Sequence, residues 1–128
     1  ASFLVKHLRI NWIEGEKYFR NCLLDFNKAN NIAQWQWVAG CGADAAPYFR
    51  IFNPILQGEK FDKEGLYVKK WIPELKRVPN KYIHKPWQMD LNIQKSINTF
   101  IGKDYPSPIV IHENARTAAL QAFQALKK

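Results

Sequence analysis

Apolar residues near the start of the chain recur every three to four positions: Phe3, Leu4, Leu8 and Trp12. That spacing lines one side of a helix, so residues 1–12 read as the end of one. A second helix is predicted over residues 13–24, with Tyr18, Phe19, Cys22, Leu23 and Phe26 on its apolar side and Cys22 in the core. Glu14 and Glu16 near its start suit the positive end of the helix dipole. The polar stretch 25–31 predicts a structured turn, because Asn and Asp bond their own backbone. Residues 32–39 resume a helix that Gly40-Cys41-Gly42 ends.

Seven prolines punctuate the rest of the chain, so residues 40–112 are expected to hold short helices and ordered loops. The strongest helical pattern there is 62–71. Residues 103–108 read as loop and Val110-Ile111 as extended. His112 to Leu126 predicts a closing helix whose inner face is Ala115, Ala118, Ala119, Ala122 and Leu126. One short extended piece makes no sheet, so the class is all-α with long ordered loops. So many loops in 128 residues call for a larger supporting body.

Composition narrows the function. With 19 Lys+Arg against 11 Asp+Glu the charge is +8, which points to an acidic partner, nucleic acid foremost, or to plain solubility. No apolar run is long enough to cross a bilayer. Two cysteines are too few for a disulfide scaffold, and a reducing, cytoplasmic setting is expected. The three His are scattered without metal-binding spacing. The chain opens on Ala1 with no initiator Met and reads as cut from something longer.

The densest chemistry lies in Asp25-Phe26-Asn27-Lys28-Ala29-Asn30-Asn31-Ile32-Ala33-Gln34-Trp35-Gln36-Trp37. Amides that both donate and accept suit the mixed edge of a flavin or a base; the alternative is turn chemistry. On a helix Trp35 and Trp37 point about 200° apart, so one faces a core and the other a cavity, or both simply pack. Between residues 60 and 85, Lys60, Lys63, Lys69, Lys70, Lys76, Arg77, Lys81 and Lys85 outnumber Asp62, Glu64 and Glu74. Such a stripe meets phosphates or is a solvated face with pairs such as Lys60–Glu64; phosphate contact is expected for 57–63.

Residues 35–62, Trp-Gln-Trp-Val-Ala-Gly-Cys-Gly-Ala-Asp-Ala-Ala-Pro-Tyr-Phe-Arg-Ile-Phe-Asn-Pro-Ile-Leu-Gln-Gly-Glu-Lys-Phe-Asp, resemble the C-terminal flavin domain of the photolyase/cryptochrome family. The opening Ala-Ser-Phe-Leu-Val-Lys, Tyr-Val-Lys-Lys-Trp-Ile-Pro-Glu-Leu and Lys-Tyr-Ile-His-Lys-Pro-Trp carry the same resemblance. It spans nearly the whole chain and is closest to class I cyclobutane pyrimidine dimer photolyases. The resemblance implies that residues 1–128 are the C-terminal part of a helical FAD-binding domain. An N-terminal α/β antenna domain with its folate or deazaflavin, and the first part of the helical domain, would precede it. The implied activity is light-driven splitting of pyrimidine dimers in DNA by electron transfer from reduced FAD. The fragment alone would be inactive, and its apolar faces would favour self-association.

The same resemblance assigns residues. Asp25, Phe26, Asn27 and Asn31 are implied to hold FAD, with Asn31 beside the flavin N5. Trp35 and Trp12 would be the proximal and middle members of an electron-transfer chain. Trp37 would wall the pocket for a flipped-out dimer, where stacking is worth roughly 1–3 kcal/mol per base. Gln57 and Lys60 would touch DNA near the lesion; Arg50 would touch it too, or pair with Asp44. Asn27 departs from the family's usual Asp, and Ile32-Ala33-Gln34 from a Gly-rich stretch. The Arg that pairs with the family's counterpart of Asp25 lies upstream, so Asp25 is expected to be solvated or neutralised. The rival readings are a blue-light receptor of the cryptochrome branch and an inactive fragment.

Overall fold

The computed structural model describes residues 1–45 and 49–126. Its α-helices are α1 (Trp12–Cys22), α2 (Lys28–Ala39), α3 (Pro54–Phe61), α4 (Leu66–Trp71), α5 (Leu91–Ile97) and α6 (His112–Leu126). A π-helical turn, Phe3–His7, precedes them, and the 3₁₀ turns Pro73–Leu75, Asn80–Tyr82 and Pro86–Gln88 fill the interval between α4 and α5. Among the described residues the one β-type pairing is the isolated Ile101–Tyr105 bridge, so the all-α class holds. No helix among them is long and apolar enough to cross a membrane. The chain divides into two compact units, Ala1–Phe52 with Val110–Lys128, and Asn53–Ile109.

In the first unit the π-turn, α1, α2 and α6 pack together. Asn11 caps α1 by accepting the Ile13 N–H at 3.1 Å. Helices α1 and α2 approach closely at Gly15, where an added Cβ would lie 2.2 Å from the Trp35 ring. Phe19 meets the same indole edge-on, with centroids 5.1 Å apart. Gly40, at φ +74°, ends α2 in the left-handed conformation that glycine adopts without strain. Lys6 is buried; its Nζ donates to the Arg50 carbonyl and lies 4.8 Å from the Phe49 ring centroid. His7, 6% exposed, shares a 2.9 Å hydrogen bond between its Nε2 and His112 Nδ1, tying the π-turn to α6.

The second unit has its own core of Leu75, Val78, Ile83 and Met89, with Val68, Ile72, Tyr82, Ile93, Ile97, Ile101 and Tyr105 packed around it. Each such fully buried aliphatic side chain contributes about 1.5–3 kcal/mol. Gln94 carries polarity into it without cost in unmet bonds, donating to the Met89 carbonyl and accepting from the Ile101 N–H.

Several expected elements shift. The 25–31 turn shrinks, because Asn27 accepts the Asn30 N–H and starts α2 at Lys28. Of the helix expected over 62–71 only Leu66–Trp71 is helical, and a separate helix, α3, ends just before it at Phe61. Asn53 caps α3 with Pro54 in its first turn, a start the pattern missed. Asp62 then closes α3, and its carboxylate turns to the Tyr67 and Val68 N–H groups at the start of α4. Only Phe3–His7 of residues 1–12 is helical before α1, and Val110-Ile111 forms no strand. Cys22 is exposed, not core. On α6, Ala119 is buried while Ala122 and Leu126 face outward.

These contacts set two expected outcomes. Gly65 sits at φ +68°, and an added Cβ would lie 2.4 Å from Ile83 Cγ1. Gly65→Ala therefore lowers stability by about 2–5 kcal/mol, read as a drop in the urea midpoint. Burial, and then the charge of His112, hold His7 below its usual 6.5. The unfolded chain thus binds its proton first, and stability falls as pH drops below 6.5. His7→Phe flattens that loss in melts taken between neutral and mildly acidic pH.

Candidate functional site

A hollow of about 300 Å³ lies in the first unit. It opens where α1, the 23–27 connection and α2 meet. Ala1, Phe19, Leu23, Asp25, Asn27, Asn30, Asn31, Gln34, Trp35 and Val38 line it. The α2 contributors recur at helical spacing, so one stripe of that helix brings three amides and an indole to the same wall.

Asn31 is the best-fixed of these groups. It is 7% exposed, and its Nδ2 donates to the Glu16 carbonyl at 3.0 Å and to Glu16 Oε1 at 3.2 Å. Glu16 is itself buried, and Arg20 one turn on in α1 grips it through Nε at 3.2 Å and Nη2 at 2.7 Å. A buried carboxylate is costly unless paired and hydrogen-bonded, and here it is both. With the Asn31 NH₂ committed to α1, Oδ1 is the group it has left to offer, an acceptor.

Trp35 is 3% exposed, wedged against Gly15 and Phe19, whereas Trp37 is 44% exposed and outside the hollow. The two indoles point different ways, as their spacing predicts, but they do not divide between core and cavity: Trp35 is buried and itself lines the hollow, while Trp37 faces the surface. Trp12 opens α1 half-buried and, among the described residues, is in ring contact with neither of them.

Four of the sequence-assigned residues meet at the hollow: Asp25, Asn27, Asn31 and Trp35. Phe26 is half-buried and does not line it. Asp25 is exposed, which fits the expectation of a solvated carboxylate. Asn27 spends its Oδ1 on capping α2, so its Nδ2 is what remains for a ligand. Arg50 is exposed, and among the described residues it makes no ion pair with Asp44, nor does Lys60 with Glu64. Gln57 and Lys60 are exposed on α3, in the second unit. Asn30 and Gln34 were missed; reading α2 as a helix from residue 28 would have put them on the Asn31 stripe. Glu16 was missed because its contact with Asn31 joins two helices.

The lining fits a flavin ring system, which has apolar faces and a rim of donors and acceptors. Phe19, Leu23, Trp35 and Val38 match the faces, and Asp25 with the amides matches the rim.

The family model described as the FAD binding domain of DNA photolyase matches residues 1–125. The chain is 57% identical to a deoxyribodipyrimidine photo-lyase of Agrobacterium fabrum, covering all of this chain and 27% of that protein. It is 53% identical to the enzyme of the same name from Escherichia coli, covering all of this chain and 26% of that one. The chain thus spans about a quarter of the length of these relatives. Among solved structures, a class III photolyase from Agrobacterium tumefaciens superposes with TM-score 0.90 at 56% identity, over 98% of this chain and 26% of that one. A Synechocystis cryptochrome does so with TM-score 0.86 at 38% identity, over 94% and 25%. A model match over nearly the whole chain, on top of a hollow suited to an isoalloxazine, shows that this protein belongs to the FAD-binding-domain family of the DNA photolyases.

Proposed function

We propose that the chain is the C-terminal part of the flavin domain of an enzyme that splits cyclobutane pyrimidine dimers in DNA with light. The observation that carries this reading is Asn31, locked by Glu16 beside the buried Trp35 on the wall of an amide-lined hollow. FAD, when bound and reduced, supplies the excited electron that the dimer takes up and later gives back. The remaining work is positional. Asn31, with its NH₂ tied back, presents Oδ1 to a ring N–H and so favours the reduced ring. Trp35 hands electrons inward from Trp12, which needs a fixed, dry indole. Trp37, at the surface, stacks against the extruded pyrimidine pair, while Gln57, Lys60 and Arg50 hold the flanking strand. The electron returns, so no net oxidant, nucleophile or metal is consumed.

The antenna domain with its folate or deazaflavin, a cytoplasmic location and self-association of the isolated piece through faces such as Leu24 and Leu126 belong to the same proposal. The superposition on a cryptochrome favours a light-receptor reading. The photo-lyases at higher identity, together with Asn31 and Trp37, weigh towards repair.

Light-dependent repair of dimer-containing DNA by the full-length protein tests the proposal; a flavoprotein that fails to repair is the receptor. The 128-residue chain, purified alone, shows no stoichiometric flavin absorption and gains little when FAD is added. In the full-length protein Trp37→Ala weakens binding of dimer-containing duplex by about 10- to 100-fold, measured by titration, and leaves undamaged duplex nearly unaffected.

A further inference from the structure

Helix α3 has two unlike sides. Ile55, Gly58 and Glu59 are half-buried, as is Asp62 just past its end, whereas Leu56, Gln57, Lys60 and Phe61 are exposed. The inner side of α3 and the turn that follows it rest on three consecutive residues of the same unit, Ile83, His84 and Lys85. Ile83 fills the space over Gly65, where a Cβ would come within 2.4 Å. The His84 ring lies on Gly58, where a Cβ would stand 2.3 Å from its Nδ1. Its Nε2–H donates to the Asp62 carbonyl at 2.6 Å. Lys85 Nζ bonds Glu59 Oε1 at 2.6 Å. One tripeptide thus grips the corner between α3 and α4 from Gly58 to Gly65, and the free side of the corner is the one that carries Gln57 and Lys60.

We infer that His84 is a positioning residue for nucleic acid binding: by bridging Gly58 and the Asp62 carbonyl it fixes the axis of α3 and so aims Lys60 at a phosphate. This rests on the proposal above that Lys60 meets DNA. His84 is turned inward against Gly58 and Asp62, so its own contribution is geometric. A lysine on a flexible stem neutralises a phosphate only when the helix beneath it is held still. An eight-residue helix is too short to hold itself.

The test is binding of a duplex with one thymine dimer to the full-length protein, over a salt series at slightly alkaline pH. Lys60→Ala lowers the slope of log affinity against log salt by about 1, the loss of one phosphate contact. His84→Ala leaves Lys60 in place, yet it lowers the same slope by a large part of that amount and weakens binding about 5- to 10-fold at low salt. Added to Lys60→Ala it costs less than about twofold more, because both act through one contact. His84→Gln, which keeps a donor for the Asp62 carbonyl, restores the slope. If His84→Ala does not fold, His84→Asn, which keeps polarity but falls short of Asp62, carries the same expectations. A slope unchanged by His84→Ala or His84→Asn, with Lys60→Ala still effective, overturns the role of His84 and leaves the DNA contact standing. A slope unchanged by Lys60→Ala overturns both.

Discussion

The first unit is organised by the lack of a side chain at Gly15. Because nothing projects there, the Trp35 indole lies directly on the backbone of α1, closer than any other residue type would allow. That approach brings α2 within hydrogen-bonding reach of Glu16, and only then does Asn31 find two acceptors on the neighbouring helix. The hollow lies beside that contact, lined by Phe19 of α1, residues of the 23–27 connection and one stripe of α2. Packing thus precedes polarity: an aromatic contact sets the distance, and the amide–carboxylate link fixes the rotation.

The Arg20–Glu16–Asn31 relay extends this. A lone asparagine on a helix surface swings freely and offers donor or acceptor as its surroundings demand. Here the carboxylate, itself pinned by a guanidinium on the solvent side, leaves the amide one orientation. A redox ring lying against such a wall meets a group whose polarity does not reverse when the ring gains or loses a proton. That is electrostatic preorganisation, obtained with residues that need no charge at the cofactor itself.

Much of this was legible in the sequence. The helices over α1 and α6, the glycine stop after Ala39, the all-α class and the opposed directions of Trp35 and Trp37 come from periodicity and turn chemistry. The failures show where local rules give way. Asn27, Asn30 and Asn31 look like a turn because asparagine favours turns, yet Asn27 uses that same chemistry to cap a helix, and the other two enter its first turn. Asp62 looked like a helix start and is instead a hinge that ends α3 and feeds α4. Cys22 sits at apolar spacing on α1, but it is Phe19 in the same last turn that meets α2, while Cys22 is exposed. Glu16 could not have been found from one strand of text, since its meaning lies in Asn31, fifteen positions away.

The two units are not alike in how they use the chain. Asn53–Ile109 is one uninterrupted stretch with its own core, whereas the other unit is closed by α6, which returns to the π-turn through His7 and His112 after that whole stretch has intervened. During synthesis from the amino end, the inner stretch emerges complete and free to collapse while Lys6, His7 and the face that α6 will cover wait exposed. The outer unit therefore matures last, although its first helices are made first, and its waiting apolar face is the surface most open to chaperones and to misassociation on the ribosome.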